Sequence, residues 1–583
     1  MSARNFYGES IKMFWDGMFD ADGCLGGAIW GGVDEVFHLP DGRAVGYGYW
    51  GCVFDIFRRL KPEAYVTKKA LTPVRIDGKE ETDVFSVVGN TLTIPVYNRF
   101  DHTDFSELEI EYSIDGGAFK AYTPRPLAPH AKGNIGITDT ALNGAKEIHL
   151  KFVTSFDGIL VEEFILSLKS NPFVPAVASG PAPTITDDVD NVTVSGADFS
   201  VVFSKATAQI TNASFKGNTV ITSGPRLHVM AGTGGRTEQF TNFTGEITSA
   251  EIVGNEAVIK LAGSYAANRN VIFTVKISGD GFITTSFEIT GTWATIGSAR
   301  TEYANNPSWV REIGISFGLA TNYNRVSWIR DGLYSMYPED HIGRIEGTAP
   351  KVRPNHETEP QPFGMKPPWV WKDDMRDFWL FADGHAEDNI VTNDFKTMRE
   401  YVWRYDVGFA GTGSVVRVES DDARNTAVRV DQVTNRLVVN MKWCYPDIKS
   451  WYGNYDRSDF GTTMTATTIP STRTVSLQLT DPDISGSADY KIYVTSKPGV
   501  GSVYNPEFEI TNVSGSAKVI NVYLASFVGE RMTSVEVFPY TLANGVPTSI
   551  NPSLDKVAGA EYKFFIWDES FDPLAKIVSV DQL

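Results

Sequence analysis

The residues of this sequence best suited to chemistry are aromatic and acidic side chains gathered between positions 24 and 70. Leu25–Trp30 is a short apolar run with two glycines, a composition typical of a buried parallel strand packed closely against neighbouring backbone. Trp30 ends that run, and in a (β/α)8 barrel the C-terminal ends of the strands form the active-site face. A large aromatic ring at that place can floor a pocket and stack on the apolar face of a ligand. Asp34, Glu35 and Asp55 follow, but the sequence pairs no two of these carboxylates.

Two helices must position this segment. Phe6–Phe19 carries apolar residues at the i, i+3, i+4, i+7 spacing of a helix that lies against a core: Ile11, Phe14, Trp15 and Met18. Pro62, at a first helical position with Glu63 beside it, begins a second helix that ends before Pro73. The order of helix, strand, loop and helix predicts the terminal βα unit of a (β/α)8 TIM barrel.

Two linked motifs in this stretch resemble those of glycoside hydrolase family 2, the group that contains β-galactosidases and β-glucuronidases. The family closes its barrel with a motif like GGxIWxxxDxx, which is matched from Gly26 to Asp34. One branch of the family continues with a motif like GYGxWGxxDxxRRxKPExxxxKKAxxPV, which is matched from Gly46 to Val74. Both matches stand at the family's spacing.

The resemblance implies a retaining glycosidase with two glutamates, on barrel strands four and seven. Retention needs these carboxyl groups about 5 to 5.5 Å apart, one as nucleophile and the other as acid and base. By the same resemblance the chain begins just beyond strand seven, so no catalytic residue is assigned to it. Glu9 is the nearest carboxylate, but it falls in the first turn of the predicted helix, where the helix dipole favours an acidic residue.

The resemblance also implies which residues line a sugar pocket. Trp30 would stack on the C–H face of a galactose-like ring, and Tyr49 and Trp50, with Tyr47, would narrow the pocket from the following loop. Asp34 belongs to the same loop, at the pocket or just behind its wall. Ordinary core packing is the alternative for both tryptophans.

Trp451 is the candidate from the opposite side of the pocket. It lies in KWCYPDIKSWYGNYDRSDFG, where the family often has a tryptophan on a loop that reaches the active site from its large sandwich. The family's glycines are absent here, so the match rests on Ser450-Trp451 and on position. Trp451 would line the leaving-group side, with a purely structural tryptophan as the alternative.

After Val74 the pattern becomes mainly β. Alternation at Leu108 to Ile114 and at Ile148 to Phe152 predicts an immunoglobulin-like β-sandwich over residues 75–171. Prolines between 171 and 183 indicate a stiff linker. Residues 184–480 are predicted to form a large, galactose-mutarotase-like β-sandwich and residues 481–583 a small accessory immunoglobulin-like sandwich, after a barrel end at 1–74.

One segment of the large sandwich resembles the family signature WxGxGPxExYxDRxxG. RVSWIRDGLYSMYPEDHIGR matches it at five positions, which are Trp328, Gly332, Tyr337, Asp340 and Gly343. Leu333 replaces the usual proline and His341 the usual basic residue, which puts a local sugar contact in doubt but not the fold. Further along, Pro367–Trp379 holds three tryptophans, which would form either the packing of a long loop or a carbohydrate platform.

Composition excludes several classes of partner. The net charge of -19 has no basic block, which argues against nucleic acid or anionic membrane as partner. No window approaches the roughly 20 apolar residues of a membrane span. Cys24, Cys52 and Cys444 show no metal-site or disulfide spacing, so three free thiols, no metal and no cofactor are expected.

The ending EYKFFIWDESFDPLA resembles accessory modules of secreted bacterial enzymes, which favours an extracellular or cell-surface location over the cytoplasm.

Two classes of function remain. In the first, the chain is the C-terminal part or subunit of a retaining exo-β-glycosidase of the β-galactosidase kind. It would be inactive alone and would need an N-terminal portion or subunit of the same enzyme to supply both glutamates. In the second, the chain is a non-catalytic assembly of β-sandwiches that binds glycans or serves as a scaffold.

Overall fold

The computed structural model describes most of the chain in separate stretches: residues 6–29, 31–33, 35–38, 44–48, 53–54, 62–170, 172–231, 237–238, 242–265, 269–290, 310–338, 341, 343–350, 397–409, 414–431, 434–443, 472–480, 490–496, 502–512, 517–528, 531–543, 547–568 and 578–579. These residues are mainly β, as the sequence predicts. The tryptophan-rich segment Pro367–Trp379 lies outside them.

The two predicted helices are confirmed. Helix α1 spans Phe6–Phe19 and helix α2 spans Pro62–Leu71. Between them, β1 (Glu35–His38) and β2 (Ala44–Gly48) form an antiparallel hairpin. A single parallel bridge joins Val33 to Phe54.

The buried strand predicted at Leu25–Trp30 does not form. Residues 24–29 belong to no strand, and Leu25 is fully exposed. The glycines of this run face α1 instead: a Cβ on Gly26 would lie 3.6 Å from the Trp15 ring. A parallel strand needs neighbouring strands for its backbone groups, and the sheets among the described residues close no barrel. The two predicted helices are therefore present, whereas the strand predicted between them is absent from residues 24–29 and the barrel stays a prediction.

The first sandwich consists of two four-stranded antiparallel sheets. Its strands are β3 (Val74–Ile76), β4 (Val87–Val88), β5 (Thr91–Asn98), β6 (Leu108–Ile114), β7 (Lys120–Tyr122), β8 (Lys132–Thr138), β9 (Glu147–Thr154) and β10 (Leu160–Ser167). One sheet has the order β10-β9-β6-β7, and the other has β3-β5-β4 with β8 on β5. The alternation that predicted β6 is confirmed, because Leu108 and Ile110 are buried whereas Glu109 and Glu111 are exposed.

The large sandwich is built from the next nineteen strands, which enclose one apolar core. They are β11 (Thr184–Asp187), β12 (Asn191–Ser195), β13 (Phe199–Ser204), β14 (Gln209–Phe215), β15 (Asn218–Ala231), β16 (Thr237–Glu238), β17 (Thr244–Val253), β18 (Glu256–Tyr265), β19 (Arg269–Ser278), β20 (Phe282–Thr290), β21 (Val310–Leu319), β22 (Tyr323–Arg330), β23 (Glu346–Pro350), β24 (Arg399–Glu400), β25 (Val402–Phe409), β26 (Val415–Glu419), β27 (Ala427–Asp431), β28 (Arg436–Trp443) and β29 (Thr472–Thr480).

These strands form two sheets. The ten-stranded sheet has the order β11-β12-β13-β14-β15-β21-β28-β27-β24, with β16 on β15, and the nine-stranded sheet has the order β17-β18-β19-β20-β29-β26-β25-β22-β23. Antiparallel register brings five strand ends to one end of the sandwich, which we call the junction end: Thr290, Val310, Arg330, Trp443 and Thr472.

The last part of the chain forms three small sheets around a separate core. Its strands are β30 (Tyr490–Ser496), β31 (Val503–Tyr504), β32 (Glu507–Asn512), β33 (Lys518–Val528), β34 (Arg531–Leu542), β35 (Pro547–Ile550), β36 (Leu554–Asp555), β37 (Glu561–Asp568) and β38 (Val578–Ser579). Strand pairing in the described chain thus stays within residues 35–48, 74–167, 184–480 and 490–579. The exact domain boundaries and the immunoglobulin-like type of the small sandwiches stay predictions.

Candidate functional site

Of the six residues expected to line a sugar pocket, Tyr47 lies on β2 and the other five lie outside the described residues. They are Trp30, Asp34, Tyr49, Trp50 and Trp451. The structure therefore neither brings them together nor separates them. It does describe the elements that flank them, above all α2 and the junction end of the large sandwich.

Helix α2 packs directly on the large sandwich. The Tyr65 hydroxyl donates to the Met336 carbonyl at 2.9 Å. Val66 is buried in a small apolar cluster with Leu333, Tyr334 and Tyr337, which follow strand β22 at the junction end. Helix α2, which lies in the longer family-like motif, is therefore packed against the large sandwich.

Lys69 of α2 is the centre of a buried ionic cluster. Its side chain is fully buried, and its ammonium lies 2.8 Å from a Glu162 carboxylate oxygen and 3.1 Å from one of Glu81. The same ammonium lies over the rings of Phe164 and Tyr334, at 4.6 and 5.3 Å from their centroids. We call Lys69, Glu81 and Glu162 the junction triad.

The junction triad is also bonded to the large sandwich. A Glu81 carboxylate oxygen accepts from the Ser335 backbone N–H at 3.2 Å and from its hydroxyl at 3.1 Å. Ser335 Oγ in turn accepts from the backbone N–H of Ile165, on strand β10, at 3.2 Å. One set of polar contacts thereby joins α2, the first sandwich and the loop after β22.

Burial and charge shift the pKa values of the triad. Burial raises the pKa of Glu162, against the opposing effect of the Lys69 charge. Burial alone would lower the pKa of Lys69, but the Glu81 and Glu162 charges outweigh it and raise the pKa. Burial also raises the pKa of Tyr334 far above its ordinary range and that of Tyr337 to about 12. Both phenols are therefore neutral in neutral solution, and the Tyr337 oxygen accepts from the Tyr334 backbone N–H at 3.1 Å.

A second ionic group ties α1 to the first sandwich. Asp16 of α1 lies beside the guanidinium groups of Arg99 and Arg75, with an O–N distance of 3.8 Å to Arg75. Arg75 also donates to the carbonyls of Lys69 and Ala70, two backbone acceptors in the last turn of α2. Helices α1 and α2 are thus both fixed to the first sandwich.

Residues of the family-like signature in the large sandwich make contacts at the same junction with α2. The Trp328 ring packs under the Arg399 guanidinium, 3.8 Å from ring centroid to Cζ, and its indole N–H donates to the Arg344 carbonyl at 2.9 Å. Leu333 and His341, the two departures from the signature, are buried beside α2, where His341 stacks on Tyr337. Asp340 lies outside the described residues.

The predicted stiff linker is attached to the large sandwich as a strap, residues 172–183. Phe173 stacks on Trp403 with centroids 5.9 Å apart, near the junction end. The Ala176 N–H donates to Glu419, and Ser179 bonds to Asp280 at the opposite end of the nine-stranded sheet. The strap therefore runs along the outer face of this sheet.

Charged side chains beneath the strap compensate one another. Arg417 donates a bidentate pair of hydrogen bonds to the Asp406 carboxylate, at 2.9 and 2.8 Å. Arg404 Nε lies 3.6 Å from a Glu419 carboxylate oxygen. Burial raises the pKa of Glu419. Glu419 therefore links these paired charges to the strap through the Ala176 N–H.

The two carboxylates of the junction triad do not form a glycosidase active site. Glu81 and Glu162 share one ammonium in a buried junction, so a sugar cannot reach between them. In the same described stretches, no group of three or more His, Cys, Asp or Glu residues has the arrangement of a metal site. Neither described helix is long and apolar enough to cross a membrane.

Sequence reasoning missed the junction triad, although two signals pointed to it. Glu162 alternates with Phe164 and Leu166 on the buried face of β10, where a carboxylate requires a partner. Lys69 follows the exposed Lys68 and lies one turn after the half-buried Tyr65 and the buried Val66. Their pairing spans 93 residues of sequence, and no local pattern encodes it.

Comparison with known proteins yields only distant likeness. No family model and no curated protein matches the chain. The α-N-acetylgalactosaminidase NagBb of Bifidobacterium bifidum, in complex with Gal-NHAc-DNJ, is 10% identical with a TM-score of 0.27, over 50% of this chain and 36% of that one. A Ca2+-stabilized adhesin that helps an Antarctic bacterium bind ice is 11% identical with a TM-score of 0.11, over 86% of this chain and 98% of that one. Similarities this low transfer neither a fold nor an activity to the chain.

Proposed function

We propose that this chain is the C-terminal portion of a retaining exo-β-glycosidase that resembles glycoside hydrolase family 2 and acts on β-galactosides. Its two catalytic glutamates would belong to an N-terminal portion or subunit of the same enzyme. The observation that carries the proposal is the position of α2. This helix lies within the longer family-like motif and packs on both of the sandwiches that follow it.

The geometry of the junction end supports the role assigned to Trp451. The segment that contains Trp451 leaves β28 at Trp443 and returns at Thr472, and both residues lie at the junction end. Helix α2 contacts the loop after β22 at that same end. A pocket lined by Trp30 on one side and Trp451 on the other is compatible with these anchor points.

In this proposal the chain contributes binding and the missing portion contributes bond cleavage. Trp30 would stack on the cleaved sugar and hold its anomeric carbon before the nucleophilic glutamate. Tyr49, Trp50 and Asp34 would line the mouth of the pocket. The working enzyme would lie outside the bacterial cell or at its surface.

Apolar side chains exposed on α1 and just after it also support the proposal of an N-terminal portion that would cover them. Leu25 is fully exposed, and Phe14 and Ile29 are exposed on the same short segment. Apolar side chains so placed are expected where further strands and helices of a barrel would cover them. Covering them would also give residues 24–29 the neighbouring strands that the described residues do not provide.

The test is an assay of chromogenic β-galactosides with the purified chain, the purified N-terminal portion and their mixture. We expect activity in the mixture alone. The mixture should also protect residues 24–29 from hydrogen exchange, because they would pair as a barrel strand. Activity of the purified chain, after mass spectrometry has excluded the N-terminal portion, would refute the proposal.

A glycan-binding role without catalysis is the second candidate, and one observation favours it. The outer face of the sheet β34-β33-β37-β38 carries Tyr523, Phe565 and Trp567, with Tyr523 and Trp567 centroids 4.7 Å apart. Exposed Val535 and Val537 adjoin them on β34. Aromatic and aliphatic groups on an open sheet face suit the C–H faces of a polysaccharide chain. Retention of the chain on insoluble polysaccharide, lost in Tyr523→Ala, would support this role whether or not the mixture is active.

A further inference from the structure

The junction triad has an unequal number of charges. It contains two carboxylates, Glu81 and Glu162, and one ammonium, Lys69, all buried. With every group ionised, the triad would carry one uncompensated negative charge. A buried charge without a counter-charge is costly, because neither water nor an opposite ion stabilises it.

Glu162 is the carboxyl group with the weaker set of partners. One of its oxygens accepts from Lys69 at 2.8 Å and from the Glu163 backbone N–H at 2.8 Å, whereas the other oxygen is buried without a hydrogen-bond partner. Glu81, by contrast, accepts from Lys69 and twice from Ser335. Because Glu162 has fewer donors and one oxygen without a partner, the proton that the triad retains belongs on Glu162.

We propose that Glu162 keeps its proton in neutral solution and that loss of this proton loosens α2 from both sandwiches. The protonated triad is a neutral unit of one ammonium, one carboxylate and one carboxylic acid. Deprotonation leaves a buried negative charge at the point where α2, β10 and the loop after β22 meet. The polar contacts to the large sandwich at that point are Glu81–Ser335 and Tyr65–Met336. This inference does not rest on the proposed function.

Other charged and titratable groups lie near the triad, some interacting with its members and others with the residues next to it. On α2 and the first sandwich they are Tyr65, Lys68, Arg75, Glu163, Lys151 and His149, and on the large sandwich they are Arg330, Tyr334, Tyr337 and His341. Arg75 is paired with Asp16, and Glu163 is paired with His149 at 3.0 Å. The phenols stay neutral because burial raises the pKa of Tyr65 and of Tyr334.

The direction of the pH effect follows from the sign of the shift. Burial raises the pKa of Glu162 in the folded chain above its value in the unfolded chain. The stabilisation is therefore complete below the unfolded pKa and is lost as the pH rises through the folded pKa. Between the unfolded and the folded pKa, the equilibrium constant for local opening should increase by about tenfold per pH unit, the limit for one proton, and above the folded pKa it should level off.

The experiment is hydrogen exchange of the full chain between roughly pH 6 and 9, corrected for the intrinsic pH dependence of amide exchange. We expect exchange of residues 62–71 and 331–338 to accelerate with pH in the unaltered chain. Glu162→Gln should remove that acceleration, because an amide cannot ionise. Glu81→Gln should reduce it, because Lys69 and Glu162 then balance each other. Glu111→Gln, an exposed site in the same sandwich, is the matched control and should keep the acceleration.

Two outcomes would overturn the proposal. One is pH-independent exchange of these segments in the unaltered chain, and the other is an undiminished acceleration in Glu162→Gln. Infrared spectroscopy keeps the test decisive if Glu162→Gln fails to fold. The unaltered chain should show a protonated carboxyl band in neutral solution that disappears at alkaline pH, and absence of that band would refute the proposal.

Discussion

At the scale of single residues, Lys69 shows how a motif position can serve the fold. It belongs to the KKA run of the family-like motif, yet it lies fully buried between two carboxylates. A charge in such a place specifies which surfaces meet, because removal of one member leaves the others uncompensated. Lys69 therefore fixes the orientation of α2.

Lys69→Met should destabilise the first sandwich by about 3 to 5 kcal/mol, the usual cost of breaking a buried ion pair by removing one partner. Denaturant unfolding followed by hydrogen exchange of β9 and β10 measures this change. Lys132→Met is the matched control, because Lys132 pairs with Asp77 on the surface of the same sandwich. It should have little measurable effect. Equal effects of the two substitutions would show that burial of Lys69 contributes nothing.

Trp30→Ala, in the assembled enzyme, should reduce kcat/KM by the equivalent of roughly 2 to 4 kcal/mol, since one aromatic face would no longer be buried against the sugar. Trp30→Phe should recover part of the loss. Steady-state kinetics on one β-galactoside provides the measurement. An unchanged kcat/KM in a folded Trp30→Ala enzyme would exclude Trp30 from the site.

At the scale of elements, the strap and the junction end explain how distant segments are held together. The strap was predicted as a stiff linker, and it is bonded along the outer face of the nine-stranded sheet through Phe173, Ala176 and Ser179. Its prolines limit the conformations of the free chain, which lowers the entropy lost on attachment. The strap thereby fixes the first sandwich near the junction end of the large one.

Trp451→Ala tests whether the segment between β28 and β29 reaches the proposed pocket. In the assembled enzyme it should change discrimination among leaving groups, or transfer to acceptor sugars, more than recognition of the cleaved sugar. The physical reason is that Trp451 would contact only the aglycone side. A panel of aryl β-galactosides with different leaving groups measures this effect. Equal changes across the panel would indicate a structural role.

At the scale of the whole molecule, the chain divides by how its parts are connected. The first and large sandwiches share the junction triad and the strap. Among the described strands, those of residues 490–579 pair only with one another. Unfolding of the last part should therefore be independent of the rest.

A chain that ends at residue 480 should lose one thermal transition and keep the others at unchanged temperature. The reason is that residues 490–579 have their own apolar core. Differential scanning calorimetry of the full and shortened chains provides the measurement. Lys69→Met in the full chain is a useful contrast, because it should lower the transitions of the first two sandwiches only. A lower transition temperature for the remaining parts of the shortened chain would reveal a stabilising contact with the last part.

The sequence by itself determined the local elements. Apolar periodicity located α1, the Pro62 start and the following lysines located α2, and alternation located β6 and β9. These features depend on residues a few positions apart, and sequence patterns report such interactions directly. The mainly β character followed from the same patterns.

Only the tertiary structure decided what these elements do together. Residues 24–29 have the composition of a buried strand, but no strand of the described residues pairs with them and they form none. Lys69, Glu81 and Glu162 carry ordinary charges in the sequence, and their effect depends on burial against one another across 93 residues. Desolvation and ion pairing depend on which side chains pack together, so only the tertiary structure shows them.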